Sequence, residues 1–234
     1  TLSLETVTEL KEFIENKLPD EDIRVLIITG AGKKAFVAGA DISQMKEMSR
    51  EQFHNYCAIS HSNFNSLQEI NIPVIAAING YALGGGCELA VACDIRIASD
   101  NVKIGFPETT LGLFPCWGGS QRALRLLGTG KAKELIFTGG MISAEEALNI
   151  GLVNKVVKQD DLMDEVLGIA EKISTNGPLA LGYAKEMINR GQDMELTKSL
   201  ELELEMGVEC FDSFDRVEGM TAFLEKRKAK FKGQ

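Results

Sequence analysis

Histidine is nearly absent from this chain of 234 residues: there are two, His54 and His61, both in one polar stretch. A histidine-ligated zinc site and a Ser-His-Asp triad are therefore poor readings of it. Cysteine gives no framework either. The five, at 57, 87, 93, 116 and 210, are odd in number, scattered and without a CxxC pair, the pattern of reduced thiols in an intracellular protein. No apolar run reaches membrane length, and no signal or transit peptide is visible. The sequence does not begin with Met, so a removed targeting segment stays compatible with it. There is no excess of positive charge: the formal net charge is −9. Non-specific nucleic-acid binding needs a basic stripe that displaces counterions, and an acidic chain is badly suited to it.

What is present is an alternation of apolar strands and helices. Leu4, Val7, Leu10 and Ile14 recur at helical spacing behind Ser3, a capping residue. Residues 23–29 form a short β-branched run ending at Gly30 and Gly32, which reads as a buried strand entering a loop. Residues 74–79 form a second strand, 94–98 a third and 103–105 a short fourth, with helices between them and one beginning near Ser120. Strand, loop and helix in repetition predict a mostly parallel sheet with crossover helices. Ser143 and Glu146 make a capping box. Residues 151–157 are an extended interruption, after which the chain is helical, and the turn at Asn176, Gly177 and Pro178 is the best boundary between a core and a C-terminal helical layer.

Three segments carry chemistry. Ala38, Gly39, Ala40 and Asp41 are small residues after a strand, which let backbone N–H groups approach a ligand or simply make a tight turn. Gly84, Gly85 and Gly86 close another strand and feed a helix. The run is neither a dinucleotide fingerprint nor a phosphate loop, since neither spacing is met. It exposes N–H donors at a positive helix end, suited to an anion or an oxygen becoming anionic, and it also suits close helix–sheet packing. Glu88 follows in the first turn of an otherwise small, apolar helix, and Glu108 lies in a second loop bounded by Gly105 and Pro107. Both acids follow strand ends on the side where α/β sheets hold ligands, so together they are candidates for general acid–base work.

The segments 35–42, 73–90, 93–98 and 105–112, in that order, with 118–122, 151–154 and 218–227, resemble those of the enoyl-CoA hydratase (crotonase) family. The resemblance implies a crotonase-like (ClpP/crotonase) α/β spiral of ββα units with a C-terminal helical layer. It assigns residues 1–176 to the core and 177–234 to a helical region for trimerisation and for covering the active site. It implies syn addition of water to a 2-trans-enoyl-CoA, or the reverse dehydration. The backbone N–H groups of Ala40 and Gly85 would hold the thioester oxygen. Glu88 would orient and activate water, and Glu108 would also hold it and supply a proton to C2. The loop holding Ala38 and Ala40 matches the adenine-binding segment, with Asp41 and Ile42 also substrate- or CoA-binding; Lys33 and Lys34 are phosphate neighbours, and Lys226 matches a tail lysine that reaches CoA across a subunit contact. No metal or redox cofactor is implied, coenzyme A being part of the substrate. The implied assembly is a homotrimer or a hexamer made of two trimers, without nucleic-acid or membrane partners. The implied location is the cytoplasm, or the mitochondrial matrix if a targeting segment has been removed.

Departures from the family pattern sharpen the expectations. The family's usual opening strand pair and Asn-Arg-Pro segment have no counterpart here, so a sheet edge and part of the CoA site are expected to be missing. Phe106, Cys116 and Trp117 replace smaller or different residues and are expected to line the acyl pocket and favour short chains. Cys87 and Cys116, with no histidine near in sequence, read as inert packing. The competing readings are a Δ3,Δ2-enoyl-CoA isomerase using Glu108 alone and a non-catalytic acyl-CoA-binding subunit.

Overall fold

Ser3 begins the first helix as its type predicts: its side chain accepts from the Thr6 backbone N–H at the start of α1 (Leu4–Glu12), which runs on into a π-helical turn, Phe13–Lys17. Val7 and Ile14 are the positions this face buries. The computed structural model describes residues 1–18 and 22–234. They divide into two compact units, one of Thr1–Asp22, Ile27–Gln68 and Val74–Val166, the other of Ile23–Leu26, Glu69–Pro73 and Leu167–Gln234.

The first unit holds β1 (Leu26–Thr29, entered from the second unit), β2 (Ala35–Val37), α2 (Ile42–Glu47), α3 (Arg50–Glu69, whose last residue lies in the second unit), β3 (Val74–Ile78), β4 (Tyr81–Leu83), α4 (Gly85–Ala92), β5 (Ile95–Ser99), β6 (Lys103–Gly105), a 3-10 turn (Pro107–Leu111), α5 (Gly119–Thr138), β7 (Met141–Ser143), α6 (Ala144–Asn149) and β8 (Lys155–Val157). The single sheet expected from the sequence is two. One has the order β1-β3-β5-β8 and the other β2-β4-β6-β7. From β1 to β6 consecutive strands alternate between the sheets and helical turns follow each pair, as in a spiral of ββα units; β7 and β8 are split by α6. β3 is buried at all five positions and pairs in parallel with β5, from Ile75 opposite Ile95 to Ile78 opposite Ala98. A continuous apolar strand is what a doubly covered parallel sheet requires. β2, β4 and β6 are also parallel, and β7 closes that sheet antiparallel to β6.

Three expected strand ends move, two of them for definable reasons. β1 starts at Leu26 rather than residue 23. β3 stops at Ile78 because the Asn79 side chain is engaged elsewhere, donating to the carbonyls of Gly30 (2.8 Å) and Gly32 (2.7 Å) and accepting from the Gly30 N–H. β5 starts after Asp94, whose carboxylate accepts the Val74 N–H at 2.7 Å. The capping box at Ser143 and Glu146 forms as read.

The second unit is helical: the later turns of α7 (Leu162–Ser174), then α8 (Pro178–Gly191), α9 (Leu196–Phe211) and α10 (Phe214–Leu224). Lys185, 8% exposed, donates to the Ile72 carbonyl at 2.9 Å, and the Asp215 carboxylate accepts the N–H groups of Lys232 and Gly233 at 2.7 and 2.8 Å, tying down the tail. α9 leaves Leu196, Leu200, Leu204, Val208 and Phe211 exposed along one stripe.

Candidate active site

The glycine run makes a sharp entry into α4. Gly84 sits at φ 53°, a region where a Cβ is strained, so the chain turns there directly from β4 into the helix. α4 is buried along its whole length and carries Glu88 in its first turn. Glu88 is 2% exposed, and its Oε1 accepts two backbone N–H groups, Trp117 and Gly119, each at 2.8 Å. Those amides belong to the turn that opens α5. Arg122, one turn further on, clamps it: its guanidinium donates to the Trp117 carbonyl (3.2 Å), to Gln68 (2.7 Å) and to Asn65 (2.6 Å). Gly119 must lack a side chain, since a Cβ there would lie 2.5 Å from Glu88 Cγ. Burial pushes the Glu88 carboxyl up to about 8, and the nearby charge of Glu108 adds to it, against the pull of the two amides and Arg122.

Glu108 comes from the 3-10 turn behind β6, with Pro107 at its first position. Both its carboxyl oxygens are buried without a hydrogen-bond partner among the described residues, and burial pushes it up to about 7. A buried, unpartnered carboxyl is costly unless something else uses it. Glu88 and Glu108 line one cavity of about 130 Å³ in the first unit. Its wall also includes Ala38, Ala40, Gly84 and Gly85. Ala40 is held by a parallel bridge to Leu2, whose N–H donates to the Gly39 carbonyl at 2.9 Å. Gly85 is the first residue of α4, where a backbone N–H has no acceptor within the helix. Two near-neutral carboxyls and a helix N-terminus thus share one small, largely apolar chamber.

The enoyl-CoA hydratase/isomerase family model matches residues 1–234 of this sequence. The chain belongs to the enoyl-CoA hydratase/isomerase family. It is 48% identical to the short-chain-enoyl-CoA hydratase of Clostridium acetobutylicum over 97% of this chain and 87% of that protein. It is 46% identical to the crotonyl-CoA hydratase of Syntrophomonas wolfei over 98% of this chain and 88% of that one. The crystal structure of enoyl-CoA hydratase from Bacillus anthracis superposes with a TM-score of 0.95 at 44% identity, covering 99% of this chain and 91% of that one.

In this chamber of the family member, the residues singled out from sequence do not all meet. Ala38, Ala40, Ile42, Gly85, Glu88, Glu108, Cys116 and Trp117 line it. Phe106 is not part of this wall: it is fully buried, its ring within 2.8 Å of where a Gly119 Cβ would stand and so beside the Glu88 seat. Asp41 caps α2, accepting the Gln44 N–H at 3.1 Å, and is not part of the wall. Lys226 is an exposed residue of the second unit, at φ 55°. Lys33 is exposed and paired with Asp160 at 2.7 Å, and Lys34 is exposed. Cys87 is fully buried, and burial raises its thiol well above the ordinary range, which leaves it inert.

Sequence reasoning missed the apolar half of the wall: Met45, Leu83, Leu111, Leu113 and Phe114. For Leu111, Leu113 and Phe114 the available signal was a cluster of large apolar residues in a Gly/Pro-bounded loop, where solvated residues are the rule; Met45 on α2 and Leu83 on β4 gave none. It also missed Arg122 as the clamp of the Glu88 seat, although its segment was noted.

Proposed function

We propose that this protein is an enoyl-CoA hydratase acting on short 2-trans-enoyl-CoA thioesters, adding water to give 3-hydroxyacyl-CoA or running the reverse dehydration. The observation that carries the reading is two carboxyls with buried oxygens, those of Glu88 and the half-buried Glu108, on the same small cavity as Ala40 and Gly85. The thioester oxygen accepts the Ala40 and Gly85 N–H groups. Negative charge grows on that oxygen as C3 is attacked, so donors aimed at it stabilise the transition state more than the substrate. Glu88 has one oxygen committed to the Trp117 and Gly119 amides, which leaves the other to hold the water with Glu108. As the water oxygen bonds to C3, its proton passes to a carboxylate, and C2 takes a proton from Glu108. Both groups act from one side, so addition is syn. Carboxyls held near 7 and 8 give up and take protons at neutral pH with little penalty.

The thioester acidifies C2 by itself, so the reaction calls for no metal or redox cofactor. The backbone of the loop holding Ala38 and Ala40 reads the adenine, Asp41 and Ile42 belong to the same CoA-binding segment, and Lys226 reaches CoA across a subunit contact. Leu113, Phe114, Cys116 and Trp117 shorten the acyl space, in keeping with the names of the two relatives, short-chain and crotonyl. An isomerase using Glu108 alone would leave the buried seat of Glu88 without a purpose, and a mere acyl-CoA binder would leave both acids so. The exposed stripe on α9 supports residues 177–234 as the trimerising region of a homotrimer or hexamer. No helix of the described residues is long and apolar enough to cross a membrane; the cytoplasm, or a mitochondrial matrix after removal of a leader, suits the proposed substrate. The net charge of −9 speaks against nucleic acid as a partner.

The test is the near-ultraviolet band of the conjugated thioester. Crotonyl-CoA should be bleached with 3-hydroxybutyryl-CoA as product, with kcat/KM falling for decenoyl- and hexadecenoyl-CoA. An unchanged band with bound ligand would reduce the protein to a binder, and a higher kcat/KM for hexadecenoyl-CoA would overturn the chain-length assignment.

A further inference from the structure

We propose that Cys57 and Cys116 form a redox-active dithiol whose closure to a disulfide switches the active-site cavity off. The proposal rests on the hydratase reading only for its activity readout. Cys57 lies on α3 and Cys116 in the turn before α5, 59 residues apart in sequence, yet their sulfurs are 3.7 Å apart. An S–S bond is about 2.05 Å long, so closure needs a movement of roughly 1.6 Å. Both residues are partly accessible, unlike Cys87 and Cys93. The two thiols share one S–H···S contact in which either sulfur can donate. That contact draws Cys57 down, helped by the Trp117 side chain and opposed by burial, and holds Cys116 up. Cys57, the more readily ionised of the two, is assigned the attack and Cys116 the resolving step.

The coupling to function is short. Cys116 lines the cavity, and the next residue, Trp117, supplies one of the two N–H groups that seat Glu88. Drawing Cys116 toward α3 pulls that amide away and reshapes the wall. Tyr56, beside Cys57, packs edge-on to the Trp117 ring at 4.8 Å, so little slack absorbs the shift.

The chemistry balances with a low-molecular-mass disulfide as oxidant. The Cys57 thiolate attacks one sulfur of oxidised glutathione; that S–S bond breaks and one glutathione leaves as a thiol, carrying the proton that Cys57 gave up. Cys116 loses its proton and attacks Cys57 Sγ; the mixed disulfide breaks and the second glutathione leaves as a thiol. Two protein thiols are oxidised and one disulfide is reduced to two thiols.

The full chain is treated with oxidised glutathione, digested under non-reducing conditions and mapped by mass spectrometry, with crotonyl-CoA hydration followed in parallel. The proposal expects a peptide linked through Cys57 and Cys116, a fall in rate of about tenfold or more for a buried carboxyl deprived of one hydrogen bond, and recovery with dithiothreitol. Cys57→Ala should keep the reduced rate and ignore the oxidant. Absence of the linked peptide, linkage of another pair, or linkage with an unchanged rate would each overturn it. The map on the unaltered chain needs neither activity nor the variant, so a reduced protein that fails to hydrate crotonyl-CoA counts against the functional reading alone.

Discussion

Replacing Glu88 by Gln should make the protein more stable while disabling it. Glu88 is 2% exposed and its carboxyl is pushed from 4.5 to about 8. In an unfolded chain it would ionise near its ordinary value. Between these limits the folded state binds more protons than the unfolded state, so stability is full below 4.5 and falls as pH rises through about 8, at about 1.4 kcal/mol for each pH unit. Gln is an uncharged stand-in for the protonated acid, and its oxygen can still accept the Trp117 and Gly119 amides. The two proteins should therefore be alike near pH 4.5, and the variant should be more stable by about 3–5 kcal/mol at about pH 9. For a chain of 234 residues that is roughly 6–10 °C in Tm. The assay is thermal unfolding of both proteins at about pH 5 and about pH 9, at one protein concentration because association raises apparent stability. A variant with the same Tm difference at both pH values, or one less stable at the higher pH, would refute the buried, uncompensated carboxyl.

Two further outcomes follow from the same geometry. Gly119→Ala would be favoured by helix propensity by about 1 kcal/mol, but the new Cβ meets Glu88 Cγ at 2.5 Å and the Phe106 ring at 2.8 Å; it should instead cost about 1–3 kcal/mol in denaturant unfolding and lower kcat at least about tenfold, and a stabilised, fully active variant would contradict the close seat. The pH profile of kcat/KM should be bell-shaped, with apparent values near 7 and 8 belonging to the Glu88–Glu108 pair. Below both values the pair has no base and above both no acid, so a profile flat from about pH 5 to about pH 10 would sink the assignment.

What the sequence discloses here is mostly what short-range chemistry writes into it. The run Val74–Ile78 is apolar because it is covered on both faces, and its burial at every position follows. Gly84 and Glu88 are conspicuous because a left-handed turn and a carboxyl in an apolar helix each need a reason. The second sheet is hidden, because β2, β4, β6 and β7 have three residues each, too few to display an alternation. Phe106 is misplaced by the same limit: next to Pro107 and Glu108 it looks like part of a loop wall, but the β6 strand directs it into the core. The clamp of Arg122 on α3 and the approach of Cys57 to Cys116 span more than fifty residues, and no local pattern records them. Where the resemblance to a known family supplies residues, it does so at backbone positions such as Ala40 and Gly85, whose side chains carry no chemical signal at all.

The central claim is that Glu88 and Glu108 act as one unit on one substrate. It is tested most directly by kcat for crotonyl-CoA hydration in Glu88→Gln, Glu108→Gln and the double variant. Each single change should lower kcat by about 10²–10⁴-fold, and the double variant should fall no more than about tenfold below the weaker single, as groups that work together do. Either single variant keeping its rate within about tenfold of the unaltered protein, or losses that multiply in full, would contradict the account.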